Sequence, residues 1–173
     1  MKNNSSEISK KLFIPIVELI KIKKFDEALT LLEKLSDQDP DIVNRLKGSI
    51  YLNKKEWNKS LFYYQKISDL SKNFKIFNNI GISLFKLGKL KEAINQFNQS
   101  ILINSSFLSA YENLSITHMQ LGNYDLSIKF TLKALNLSPY NNKMKNRLIE
   151  IFNFYKTKLN ENSIIKINNQ ICK

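Results

Sequence analysis

The sequence predicts an all-α protein in which helix pairs stack into an α-solenoid, and two observations support this prediction. First, Gly122 follows Gly88 at the same offset at which Ser127 follows Ala93. A fixed period of roughly 20–50 residues is typical of stacked repeat units and not of one globular core. Second, the 173 residues include only 4 Gly and 3 Pro, which favours long helices with short connectors over many tight β-turns.

Residues 74–107 form the clearest unit, which we predict to be two helices joined by a turn at Leu87-Gly88-Lys89. Apolar residues recur in both halves at the 3.6-residue spacing of a helix that buries one face. Residues 108–141 repeat this pattern, with the turn at Leu121-Gly122-Asn123, and Pro139 stops the second helix.

Residues 41–73 give an earlier unit that is one residue shorter. Gly48 and Gly81 are one residue closer together in the sequence than Gly88 and Gly122 are. We place the missing residue in the connector near residues 68–72.

Residues 9–40 form the first unit, which is one residue shorter again, and we expect its second helix to end at Pro40. Its first helix contains Pro15, which would remove a backbone hydrogen bond from a helix interior. Either the helix is kinked there or it begins at Pro15 and is short.

One more amphipathic segment follows, at about residues 141–158, and is interpreted as a capping helix that covers the last apolar face of the stack. We therefore expect a single solenoid domain over residues 9–158. Residues 1–8 and 159–173 are expected to be tails.

The net charge of +12 comes from 27 basic and 15 acidic side chains. Only Arg45 and Arg147 are arginines, so Lys supplies 25 of the basic residues (27 − 2). Nucleic-acid recognition usually relies on the arginine fork, so this composition disfavours it. The scattered lysines indicate a solvated surface, or alternatively an attraction to acidic partners.

No pattern of catalytic or metal-binding residues is present in the sequence, so we expect neither an enzyme nor a bound cofactor. His118, the one histidine, has no partner at ligand spacing and is expected to be a satisfied core residue. Cys172, the one cysteine, can form no internal disulfide. The apolar stretch over residues 12–22 carries Glu18 and Lys21 and is too short to span a bilayer, so we expect a cytoplasmic protein without membrane insertion. The oligomeric state stays open.

These units resemble the tetratricopeptide repeat (TPR), a helix-turn-helix of about 34 residues whose pattern includes Leu-Gly, Ala-x3-Phe and a final Pro. The resemblance rests on Ile80-Gly81 and Ala93-x3-Phe97, and on the ending Ser138-Pro139. Residues 108–141 depart from the pattern at Ser115 for Gly, His118 for Tyr and Thr131 for Phe. The resemblance implies a right-handed α-solenoid of about four helix pairs plus a C-terminal capping helix.

By the same resemblance, the first helix of each pair faces a concave groove that binds a peptide. The residues expected to line it are Arg45, Lys75, Asn78, Asn79, Ile82, Phe85, Lys86, Glu112, Asn113, Ile116, Met119 and Gln120.

Asn79 and Asn113 occupy equivalent positions in adjacent units, one full period apart. In some members of the family an asparagine ladder at this position binds a peptide backbone, for which an amide supplies donors and an acceptor. The alternative is coincidence in an Asn-rich chain.

Two further binding modes enter through the resemblance. A carboxylate clamp for a partner's C-terminus would use Arg45 and Asn79, but Ser49, Ser109 and Asn113 do not match its pattern. The large apolar residues Ile20, Leu52, Phe85 and Met119 could receive an apolar partner segment, or they could simply pack within the repeats.

We therefore expect a non-catalytic adaptor that binds a protein or peptide segment, with a preference for acidic ones as an option. An alternative is the substrate-recruiting portion, or a relative, of a glycosyl- or sulfotransferase. A weaker alternative is RNA binding through the basic surface.

Overall fold

The structure is a computed structural model that describes residues 12–70 and 73–155. These residues form nine α-helices and no strand, which confirms the all-α prediction. The helices are α1 (Ile14–Lys21), α2 (Phe25–Lys34), α3 (Pro40–Asn53), α4 (Trp57–Gln65), α5 (Phe74–Lys86), α6 (Leu90–Ile103), α7 (Leu108–Gln120), α8 (Tyr124–Leu137) and α9 (Asn142–Tyr155).

Two compact units divide the chain, Met1–Ser105 (unit 1) and Ser106–Lys173 (unit 2). In unit 1, α1 packs on α2, α3 on α4, and α5 on α6; in unit 2, α7 packs on α8 and α8 on α9. The predicted helix-turn-helix pairs are thus present. The single domain over residues 9–158 and the right-handed sense of the solenoid stay predictions.

The two prolines near the start of the chain both lie in the first turn of a helix. Helix α1 begins at Ile14 and is short, with Pro15 in its first turn, which decides between the two alternatives for this helix. The expectation that the second helix of the first unit ends at Pro40 is wrong, because α2 already ends at Lys34. Pro40 instead begins α3, where its missing N–H has no intrahelical partner to lose, and the Asp39 side chain accepts from the Ile42 N–H.

A residue with a left-handed backbone occupies the centre of the turn within each pair. Gly88 and Gly122 have φ of 77° and 74°, while Lys23 and Lys55 have φ of 62° and 61°. The spacing between successive centres lengthens by one residue at each step along the chain. The structure therefore reproduces the uneven period that the sequence predicts.

Residues 66–73 join α4 to α5 and form a longer link than residues 35–39 or 104–107. The expectation that this connector lacks a residue is wrong, because α4 has 9 residues where α6 and α8 have 14. The Asp41 carboxylate at the start of α3 accepts from the Ser68 N–H at 3.0 Å and from Ser68 Oγ at 2.6 Å. These two bonds lower the pKa of Asp41 and hold the connector against the start of α3.

Close helix approach inside the pairs depends on glycine. A Cβ built on Gly81 would lie 2.5 Å from Phe97 Cε1, and one on Gly48 would lie 2.8 Å from Tyr64 Cε1. Only glycine therefore lets the facing ring lie against the helix backbone.

In unit 2, α9 covers the apolar face of α8 and serves as the predicted capping helix. Ile128, Leu148 and Ile151 form its buried centre, and Leu132 and Leu135 pack around them. The Asn141 side chain caps α9 by accepting from the Met144 N–H. The predicted tails, including Cys172, lie outside the described residues, as do residues 156–158 of the predicted cap.

Candidate functional site

The groove residues predicted in unit 1 differ in their exposure. Arg45, Lys75 and Lys86 are exposed, whereas Asn79, Ile82 and Phe85 are half-buried. Asn78 is only 5% exposed, so its side chain contributes little surface to a ligand.

Asn79 uses part of its hydrogen-bonding capacity inside unit 1. Its Nδ2 donates to the hydroxyl of Tyr64 at 2.9 Å. Tyr64 is fully buried, and burial raises its pKa to about 12, against the opposing hydrogen bonds of Asn79 and Ser49. Asn79 therefore stabilises a buried hydroxyl, in addition to any role that it has toward a ligand.

Glu112, predicted in the groove of unit 2, binds other residues of the unit. Its Oε1 accepts from Asn141 Nδ2 at 2.8 Å, and its Oε2 accepts from Lys143 Nζ at 3.3 Å. The carboxylate thus holds the start of α9 against α7. Asn113 and Ile116 are half-buried and Gln120 is exposed.

The apolar residues at the repeated groove position pack within the protein in two of the repeats, the first and the last. Ile20 packs against the core around Ile16, and Met119 packs against the core around Ile128. Leu52 and Phe85 are half-buried. Ile20 and Met119 therefore pack within the repeats, as in the second of the two alternatives, and are not free to receive an apolar partner segment.

Arg147 on α9 is a candidate that we did not predict. Its Nε and Nη1 are buried, yet they have no hydrogen-bond partner among the described residues. Burial lowers the pKa of Arg147, and the nearby Glu150 and Glu112 oppose the shift, but an arginine side chain stays protonated. Nε and Nη1 lie on different edges of the guanidinium, and each edge is shared with Nη2, so a carboxylate bound at either edge would satisfy one of the two nitrogens.

The sequence contained a signal for this residue. Arg147 follows Asn113 at the same offset at which Asn113 follows Asn79, so it occupies their position in the capping helix. Counting the repeat past Pro139 would have found it.

His118 occupies the core of unit 2, as predicted, but its hydrogen bonding is incomplete. It is 7% exposed and stacks on Phe130 at a centroid distance of 5.4 Å. Its Nδ1 has no hydrogen-bond partner in the described part of the chain, so the expectation of a satisfied histidine is wrong. Burial lowers the pKa of His118, which keeps the ring neutral near pH 7.

The described residues contain no group of three or more His, Cys, Asp or Glu side chains that could hold a metal ion. Within the same residues, no helix has the length and apolar character needed to cross a bilayer.

The predicted asparagine ladder and the predicted carboxylate clamp would each need side chains of both unit 1 and unit 2. Both modes therefore stay predictions.

The repeated pairs, with a left-handed residue in each turn and a glycine under a ring in two of the pairs, define a helical-repeat protein. A family model for the tetratricopeptide repeat matches residues 74–107 and 108–141, the two units that the sequence delimits. Residues 74–141 are therefore two tetratricopeptide repeats.

Similar proteins extend this result beyond the two matched units. The human DnaJ homolog subfamily C member 7 is 30% identical over 96 residues, which cover 55% of this chain and 19% of that protein. The chain spans 18–24% of the length of the curated relatives that it matches.

Two solved structures show the same fold. The crystal structure of MamA aligns with a TM-score of 0.75 at 16% identity, over 90% of this chain and 91% of that one. The first TPR of Spaghetti (RPAP3), bound to the HSP90 peptide SRMEEVD, aligns with a TM-score of 0.64 at 22% identity, over 67% of this chain and 93% of that one.

Proposed function

We propose that this chain is a non-catalytic adaptor that binds a protein segment through its helix pairs, and that a carboxylate of the segment binds Arg147. The observation that carries the proposal is the pair of buried guanidinium nitrogens that have no partner among the described residues. A buried donor without an acceptor costs about 1–3 kcal/mol, so a ligand that supplies the acceptor recovers this free energy on binding.

The surroundings of Arg147 in unit 2 contain charges of both signs. Glu150 and Glu112 lie close enough to affect the Arg147 pKa, and Glu112 accepts hydrogen bonds from Asn141 and Lys143. The Lys143 side chain is 62% exposed and adds positive charge at the start of α9. An incoming carboxylate would have to displace the side chains that cover the guanidinium nitrogens and compete with these two carboxylates.

The tetratricopeptide repeats at residues 74–141 are consistent with this proposal. The structurally similar RPAP3 repeat was solved with a bound peptide whose sequence, SRMEEVD, contains two Glu and one Asp. An acidic protein segment is therefore the ligand class that we propose for this chain. Asn79 and Asn113, each within its own unit, are proposed as amides for main-chain groups.

The test is selection from a displayed library of random peptides with free C-termini. Wild type should enrich acidic peptides. Arg147→Gln should bind the selected peptides at least about tenfold more weakly, a loss of about 1.4 kcal/mol. Arg147→Lys, which keeps the charge and removes the fork, should recover only part of the affinity.

The matched control is Lys145→Gln, which removes an exposed cation from the same helix. Circular dichroism establishes that each variant is folded. Equal binding by wild type and Arg147→Gln, or no enrichment of acidic peptides, would overturn the proposal.

RNA binding is a second candidate because aromatic rings and lysines combine on unit 1. Tyr51 and Tyr63 stack with centroids 5.3 Å apart, Lys59 lies over Tyr51, and Lys66 lies over Phe62. Rings and cations together suit single strands. A gel shift with random RNA at two salt concentrations tests it, since binding through phosphates must weaken as salt rises.

A further inference from the structure

Three turns of unit 1 lie side by side along one edge, which we call the turn edge. They are the turns within the first three helix pairs, at residues 22–24, 54–56 and 87–89. Lys54 Nζ in the second turn lies 2.7 Å from Asp26 Oδ1 at the start of α2, close to the first turn. Ser83 Oγ near the end of α5 donates to Ser60 Oγ near the start of α4 at 3.2 Å, so the third turn lies on the same side as the second.

The turn edge is rich in lysine. The eight-residue stretches around the three turn centres, residues 20–27, 52–59 and 85–92, contain nine Lys and four acidic residues, a net charge of +5 (9 − 4). The equivalent stretch of the fourth pair, residues 119–126 in unit 2, contains no lysine and one Asp. The positive charge is therefore a property of this edge of unit 1 and does not follow from the repeat itself.

Ion pairs within the protein leave part of this charge free. Three of the four acidic residues pair with lysines of the same edge, at Nζ–O distances of 2.6–2.8 Å. Lys23, Lys55 and Lys89 are exposed, and none of them forms an ion pair with any residue that the structure describes. Each of the three turns thus presents one ammonium group that is available to an anionic partner.

Two of these lysines hold a backbone conformation that lysine disfavours. Lys23 and Lys55 have φ of 62° and 61°, in the left-handed region where the later turns place Gly88 and Gly122. Glycine would adopt this conformation at a lower cost. A residue held in a strained conformation supports the hypothesis that its side chain has a function.

An exposed apolar side chain accompanies the lysines. Ile22 precedes Lys23 and is 63% exposed. Protein surfaces that bind membranes combine lysines, which contact anionic headgroups, with apolar side chains that enter the boundary between headgroups and acyl chains. Lysine is a compact point charge that suits a diffuse anionic surface, whereas nucleic-acid recognition favours the arginine fork. The combination therefore favours a lipid surface over RNA.

We infer that the turn edge binds the surface of a membrane that contains anionic lipids, with the lysines at the headgroups and Ile22 at the boundary to the acyl chains. The inference goes beyond the proposed function and depends on other residues, because Arg147 belongs to unit 2. An adaptor with such an edge would bind its protein ligand at a membrane surface.

The test is sedimentation of the full chain with vesicles of phosphatidylcholine alone and of phosphatidylcholine mixed with phosphatidylserine. Wild type should bind only the mixed vesicles, and more weakly as salt rises. Lys23→Gln/Lys55→Gln/Lys89→Gln should bind them roughly a hundredfold more weakly, at about fivefold for each lysine near the surface.

The matched control is Lys34→Gln/Lys129→Gln/Lys145→Gln, which removes the same charge from three exposed helix positions outside the turn edge. It should bind the mixed vesicles as wild type does. Circular dichroism establishes that each variant is folded. No binding of wild type to the mixed vesicles, or equal binding by the two triple variants, would overturn the inference.

Ile22→Ser separates a lipid surface from another polyanion. It should weaken binding to the mixed vesicles at least about threefold, because an apolar side chain no longer leaves water. Binding equal to that of wild type would overturn the position of Ile22 at the acyl boundary. A gel shift in which wild type binds random RNA, together with no binding to the mixed vesicles, would overturn the inference and assign the edge to nucleic acid.

Discussion

The turns within the helix pairs show how one backbone conformation is met by different residues. Gly88 and Gly122 adopt the left-handed conformation at little cost, whereas Lys23 and Lys55 adopt it with a Cβ. An L-residue in this region costs about 1–2 kcal/mol. The first two pairs therefore carry a backbone strain that the last two avoid.

Replacement of Lys55 by Gly should raise the free energy of unfolding. The gain should be a few tenths to about 1 kcal/mol, because relief of the left-handed strain exceeds the added entropy of the unfolded chain. Urea unfolding measures it. Lys129→Gly, at an exposed position inside α8, should instead lose about 1 kcal/mol, and a Lys55→Gly protein that loses as much would contradict the strain.

His118 should make stability depend on pH. Burial lowers its pKa in the folded state, so the unfolded chain takes up the proton at a higher pH than the folded chain does. The free energy of unfolding should therefore fall as pH drops below about 6.5, by at most about 1.4 kcal/mol per pH unit.

Because His118 is the only histidine, His118→Phe should remove this dependence between about pH 7.5 and about pH 5.5. Urea unfolding of both proteins at several pH values measures the difference. If the free energy of unfolding of His118→Phe changes with pH as steeply as that of wild type, groups other than His118 cause the dependence.

At the scale of the helix pair, a small residue on the first helix faces a matched residue on the second. Gly81 faces the ring of Phe97. The equivalent pair in the next repeat is Ser115 and Thr131, whose hydroxyl oxygens lie 2.6 Å apart. Ser127 Oγ also donates to the Ser115 carbonyl. Ser115 and Thr131 both depart from the family pattern, and the hydrogen bond between them lets the two changes compensate each other.

Replacement of Ser115 and Thr131 by Gly and Phe, the residues at the equivalent positions of the preceding repeat, should show strong coupling in the free energy of unfolding. Thr131→Phe alone should lose about 1–3 kcal/mol, because the ring has no room beside Ser115. Ser115→Gly alone should also lose stability, since Thr131 then keeps only its bond to the Ser127 carbonyl in a buried site. The double variant should regain at least about 1 kcal/mol over the sum of the single losses, as urea unfolding would show. Additive losses would contradict the pairing.

Much of the element order could be predicted from the sequence, and the errors have physical causes. Gly88 and Gly122 mark their turns because glycine is favoured at left-handed positions. Lys23 and Lys55 give no such signal. Pro40 was placed at a helix end, although proline fits the start of a helix equally well.

The candidate site could be predicted less completely, since it depends on which side chains find partners. The repeat pattern predicts where Glu112 and Asn79 lie. It does not predict that Glu112 accepts a hydrogen bond from Asn141, or that Asn79 donates one to Tyr64, because these bonds depend on packing. Arg147 was in register with the repeat, yet its buried nitrogens could not be seen in a pattern of residue types.

At the scale of the whole molecule, charge favours encounters with acidic partners. The net charge is +12, mostly from lysines, and such an excess accelerates association with acidic partners without defining a site. Under the proposed function, specific binding would depend on the few groups with directed, unsatisfied hydrogen-bonding capacity. Arg147 is such a group in unit 2.

The most direct measurement of the proposed function is the ¹H–¹⁵N resonance of the Arg147 Nε–H, assigned with Arg147→Lys. We expect this resonance to shift when a pool of acidic peptides is added, and to stay in place with a matched pool in which Asn and Gln replace Asp and Glu. Binding of the acidic pool elsewhere, with the Arg147 resonance unchanged, would contradict carboxylate recognition at this residue.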